Sequence, residues 1–128
     1  MCGIIGYTSR AADPRQITVS LERLRSRGPD ASGTWASPGG QVSLGHTRLA
    51  IIDLSETGAQ PMKDEATGSV IVFNGEIYNH PELRRELQQL GVAFRRQSDT
   101  GTLSHGYSVW AVSLFPRLRG MFAFAIYD

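Results

Sequence analysis

The chain has 128 residues, 41% of them hydrophobic and 20% charged, a composition that fits one globular domain and excludes a disordered chain. With 13 basic residues against 12 acidic ones the net charge is +1, which gives no reason to expect nucleic acid or an anionic membrane as partner. A chain of this size buries roughly two-thirds of its unfolded surface. One cysteine, Cys2, cannot form an internal disulfide, and His46, His80 and His105 stand apart from any Cys/His cluster, so no structural zinc is expected. No apolar run approaches the about 18–20 residues that cross a membrane, and the N-terminus lacks a basic segment followed by a long apolar one, so no secretory signal is expected. The expected setting is the cytoplasm.

In chain order, Cys2 to Thr8 is apolar and β-rich and predicts a strand. Ala12-Asp13-Pro14 breaks it. Ile17, Leu21 and Leu24 then recur at helical spacing, predicting a helix from Pro14 to Ser26 with Asp13 as N-cap. Arg27-Gly28-Pro29-Asp30 ends that helix. Gly33–Ala36 and Gln41–Gly45 read as strands of a hairpin. Leu49–Leu54 is apolar, and Ser55–Gly68 is a long polar loop of the kind that often carries function.

Ser69–Phe73 predicts a strand entering Asn74-Gly75. Pro81–Leu90 predicts a helix with Leu83, Leu87 and Leu90 on one face and Gly91 as its C-terminal cap. Val92–Arg95 reads as a short strand, 100–110 as a helix, and Met121–Tyr127 as a final apolar strand. The pattern is α+β with a mainly antiparallel sheet. Repeats, linkers and low-complexity segments are absent from it. An apolar strand at the end of the chain leaves an edge that needs cover.

Cys2 carries the chemistry. Once Met1 is removed, which a small second residue favours, one residue holds both a thiol and an α-amino group. A thiol must lose its proton to attack a carbonyl, and an α-amine, with a reference pKa of about 7.7–8.0, suits a general base. The plain alternative is an incidental terminal cysteine. Arg48, Asn74-Gly75-Glu76 and Asp99 also sit where strands or helices begin or end. Singly they read as a surface ion pair, a hairpin turn and a helix cap.

Together these residues form a recognisable pattern. The stretches MCGIIGY, RSRGPDASG, GHTRLAIIDLSETGAQPM, VIVFNGEIYNHPELRREL, QSDT and LRGMFAFAIYD follow one another along the whole chain. In them the chain resembles the N-terminal glutaminase domain of class II glutamine amidotransferases. RGPD, RLAIIDLS and NGEIYN point to the glutamine-hydrolysing asparagine synthetase branch.

The resemblance implies an Ntn-hydrolase-like αββα sandwich, incomplete at its C-terminus. It implies Cys2 as nucleophile, with the Asn74 side chain and Gly75 N–H as oxyanion donors. Arg48 would hold the glutamine carboxylate, Asp99 its ammonium, and Glu76 would give a second acidic contact. The expected reaction is hydrolysis of glutamine to glutamate and ammonia. The family's ATP and Mg²⁺ chemistry belongs to a synthetase domain that receives the ammonia, so this chain itself needs no cofactor or metal. The family's dimers leave a homodimer open.

The pattern departs from the family at 101–116. Gly101 replaces a usual acidic residue and Pro116 a charged helical one; within a helix these cost up to ~1 and about 3 kcal/mol. Both changes lie near Asp99. Two other readings therefore stand beside the enzyme: a non-catalytic remnant or glutamine-binding subunit needing a partner chain, and the glutaminase part of another amidotransferase.

Overall fold

The computed structural model describes residues 2–9, 14–49, 58–94 and 98–128. Within them lie strands β1 (Gly3–Thr8), β2 (Ala31–Ala36), β3 (Val42–Arg48), β4 (Met62–Lys63), β5 (Val70–Ile77) and β6 (Gly120–Tyr127). Three α-helices accompany them: α1 (Pro14–Leu24), α2 (His80–Gln89) and α3 (Asp99–Trp110). A 3₁₀ helix, Ala111–Arg117, follows α3. The strands form two antiparallel sheets, ordered β1-β3-β2 and β4-β5-β6.

The alternation of each strand fixes what faces what. In β3, Leu44 packs with Val70 and Val72 of β5, joined by Ile4, Trp35, Ala125 and Tyr127. This apolar layer holds the two sheets face to face. The opposite face of β5 presents Ile71, Phe73 and Ile77 to Leu83, Leu103 and Leu114. On the far side of the first sheet, α1 contacts β1 and β3 with Ile17 and Leu21 buried. The order of layers is therefore helix, sheet, sheet, helices: the expected αββα sandwich of an α+β domain.

Two registers matter for the site. β1 pairs with β3 so that Gly3 lies opposite Thr47, which puts Cys2 beside the end of β3. β5 pairs with β6 from Val70↔Tyr127 to Ile77↔Gly120.

Several expectations are corrected. Asn74-Gly75 is not a hairpin turn, because β5 runs through both residues and stays paired with β6. The hairpin strands are longer than expected, and α1 stops at Leu24, two residues short of Ser26. Residues 92–94 are not a strand. Phe94 instead packs its ring edge-to-face on His105, 4.9 Å between centroids, with the Arg84 guanidinium 4.2 Å above it. The polar loop before β5 contains the short β4. Pro116 falls in the 3₁₀ segment, not inside an α-helix, so the interior-helix cost does not apply there. The Asp13 cap, the apolar run over 50–54, the first residues of the loop, and Arg95 lie outside the described residues.

Asp64 joins β4 to α3. It is buried and accepts from the Ala66 and Thr67 N–H groups and from the Ser104 and Ser108 hydroxyls. Burial pushes its carboxyl upward, but those four bonds outweigh it and leave the pKa below its ordinary value.

Leu103 is fully buried between α3 and β5. Leu103→Ala is expected to cost about 2–5 kcal/mol in urea unfolding, while Val19→Ala, on the exposed side of α1, stays within about 0.5 kcal/mol.

Candidate functional site

The pairing of β1 with β3 brings the Cys2 sulfur against Leu49. The Leu49 N–H lies 3.5 Å from Sγ, and Sγ is 3.9 Å from the Leu49 carbonyl oxygen. One backbone unit thus brackets the half-buried thiol. The Cys2 carbonyl accepts from Arg27 Nε at 3.1 Å, which fixes the residue from its other side.

Arg48 ends β3 one residue earlier. Its carbonyl accepts from the Asp30 N–H at 3.0 Å, tying it to the turn before β2. Its guanidinium runs beside Gly58, where an added Cβ would come within 2.7 Å of Nη2. The side chain lines a cavity of about 340 Å³ together with Ala31, Ser32, His46, Ala59 and Gln60. That volume is at the small end of ligand sites. A planar cation in such a cavity suits a carboxylate.

His46 lies on the same face of β3 as Arg48 and Leu44. It is 1% exposed, and its Nε2 makes no hydrogen bond. Its ring lies against the Phe73 backbone. Burial first, and the Arg48 charge second, lower its pKa from 6.5 to about 4, against the opposing effect of the Phe73 bond. His46 is a neutral imidazole at physiological pH.

Strand parity places Asn74 on the inner face of the second sheet with Val70 and Val72. Gly75 adopts φ +133°, a conformation that L side chains rarely take, and a Cβ there would run into the backbone of Met121 and Phe122. Glu76 is exposed. Asp99 is the first residue of α3, and its two oxygens accept from the Ile77 N–H at 3.2 Å and the Thr100 N–H at 2.8 Å. Those bonds hold it at the end of β5, one residue past Glu76. A carboxylate has lone pairs beyond these two for an ammonium. Gly101 leaves this end of α3 in place because its own N–H donates to the Ser98 cap at 3.1 Å.

The structure thus joins Cys2 to the end of β3 and Asp99 to the end of β5. Between them, the inner faces of β3 and β5 pack through Leu44, Val70 and Val72. Among the six candidates, only Arg48 lines the 340 Å³ cavity. A second cavity, about 290 Å³ between β4 and α3 and lined by Asp64, Phe94 and His105 among others, contains none of them. Sequence reading missed Arg27, His46 and Gln60. Arg27 carried one signal, its place in the turn before β2, whereas the other two depend on contacts between the sheets.

Comparison with known proteins gives the class. Residues 1–128 match the glutamine amidotransferase domain family, and the chain belongs to it. It is 40% identical over 134 residues to asparagine synthetase [glutamine-hydrolyzing] 3 of Bacillus subtilis, covering 100% of this chain and 21% of that protein. Against asparagine synthetase [glutamine-hydrolyzing] 1 of Arabidopsis thaliana it is 39% identical, covering 100% and 22% respectively. The chain therefore spans about a fifth of the length of the curated relatives it matches. Among solved structures, the glutamine phosphoribosylpyrophosphate amidotransferase of B. subtilis, complexed with ADP and GMP, superposes with a TM-score of 0.84 at 21% identity. That match covers 100% of this chain and 35% of the other, and it establishes the fold.

The His46 environment makes a pH prediction. Its folded pKa lies below its unfolded one, so between about 6.5 and about 4 the unfolded chain binds the extra proton. Stability is then lost as pH falls through that window. From pH 7 to pH 5 this one group removes roughly 2 kcal/mol. Urea unfolding at both pH values should show that loss, and His46→Gln should lack this component.

Proposed function

We propose that the chain is the glutaminase part of an asparagine-synthetase-like amidotransferase, working in the cytoplasm. The observation that carries this reading is the Cys2 thiol, bracketed by the Leu49 backbone one residue from the Arg48 cavity. Family membership and the relatives' glutamine-hydrolysing names support it.

With Met1 removed, the α-amine of Cys2 takes the thiol proton. Arg48 holds the glutamine α-carboxylate in a forked pair, while Asp99, with Glu76 beside it, receives the α-ammonium. The sulfur attacks the side-chain amide carbon. The oxyanion that forms is met by the Asn74 side chain and the Gly75 N–H, which requires no reorganisation at the moment of attack. The amine returns its proton to the departing nitrogen, and ammonia leaves. Water then cleaves the γ-glutamyl thioester, releasing glutamate and restoring the thiol. The ammonia passes to a synthetase module, in the same or a partner chain, where the ATP- and Mg²⁺-dependent chemistry belongs.

Glutamate release from glutamine tests the reading. The active protein should carry Cys2 as its N-terminal residue by intact mass, and Cys2→Ala should release no glutamate. Asn74→Ala should lower kcat about 10²–10³-fold with KM little changed. Arg48→Lys keeps the charge but loses the fork, and should raise KM about tenfold. Glutamate release that survives Cys2→Ala would overturn the assignment.

A further inference from the structure

We infer that Gln60 is a positioning residue that clamps the Phe73 backbone and thereby aims the Asn74 and Gly75 donors. The inference rests on the oxyanion role proposed above for those two residues.

It starts from an unequal covering of β5. On one side β6 pairs with it through Ile77. On the other, β4 supplies only Met62↔Ile71 and Lys63↔Val70. Continuing that register by two residues would put Gln60 opposite Phe73. Pro61 intervenes, with no N–H to give, and the chain leaves the sheet. The Gln60 carbonyl instead packs on Gly33 of β2, where it fills the place a Cβ would take. The Gln60 backbone has thus crossed to the first sheet, and its side chain reaches back. Oε1 accepts the Phe73 N–H at 2.6 Å.

In an antiparallel strand the N–H and C=O of one residue point the same way. The Phe73 carbonyl therefore also faces the uncovered side, where the buried His46 ring lies against the Phe73 backbone. The Gln60 side chain does the work of a missing strand. Phe73 is 3% exposed, so water is a poor substitute for Gln60 Oε1. Phe73 immediately precedes Asn74, and Gly75 then departs to φ +133°. The clamp is the last fixed point before the donors, and Gln60, His46 and Arg48 line the same cavity. A displacement of about 1 Å at such donors costs up to ~10²-fold in rate.

The test combines amide hydrogen exchange by NMR with glutamine-hydrolysis kinetics. Gln60→Met should speed exchange at Phe73 about tenfold, perturb the Gly75 amide, and leave the β1–β3 amides of Ile4 and Ile5 unchanged. It should lower kcat about 10- to 100-fold with KM near the parent value. Gln60→Glu keeps an acceptor at the same reach and should restore both. Gln60 is only half-buried, so Gln60→Met should leave the fold intact. Unchanged Phe73 exchange and an unmoved Gly75 amide in Gln60→Met would overturn the clamp. A parent protein without glutaminase activity would overturn the proposed function instead, and exchange alone would still decide the clamp.

Discussion

The register of β1 against β3 is the constraint on which the site depends. With Gly3 opposite Thr47, Cys2 meets Leu49 and Arg48. A slip of one residue would turn every side chain of β1 to the opposite face. Ile4 would leave the layer between the sheets, and the thiol would turn away from the face that Arg48 and His46 share. The same alternation that buries Leu44 therefore places His46 and Arg48, two and four residues on, toward the second sheet. Core and site are successive positions on one strand.

The second sheet answers with its own asymmetry. β6 holds β5 rigidly along eight paired positions, while β4 covers only its first residues. A strand fully paired on both sides would have no room for a cavity beside Arg48. The open side of β5 creates that space and leaves backbone polar groups to be satisfied. Gln60 satisfies the Phe73 N–H from the connecting loop. Burial keeps His46 uncharged beside Arg48, which leaves Arg48 as the cavity's cation.

Much of this was legible in the sequence. The helical spacing of Ile17, Leu21 and Leu24 predicted α1, and the β-branched run before Asn74 predicted β5. The motif stretches led to the αββα sandwich and the glutamine amidotransferase family. What escaped the sequence depends on distant partners. Asn74-Gly75 has hairpin chemistry locally, yet β6, far along the chain, keeps it in the sheet. Residues 92–94 have strand composition, yet Phe94 is taken up by His105 and Arg84. Gln60 looks like one more polar loop residue; its role exists only because the backbone crosses between sheets at Pro61. Gly101 suggested a weakened end of α3, but the Ser98 cap holds it.

The most direct test of the central claim is covalent trapping of the thiol. A glutamine analogue bearing an electrophilic ketone in place of the amide would be incubated with the protein and the adduct mapped by mass spectrometry. The account predicts a single adduct on Cys2, with excess glutamine suppressing it. Labelling that ignores glutamine, or a thiol that forms no adduct in a folded protein beginning at Cys2, would contradict it.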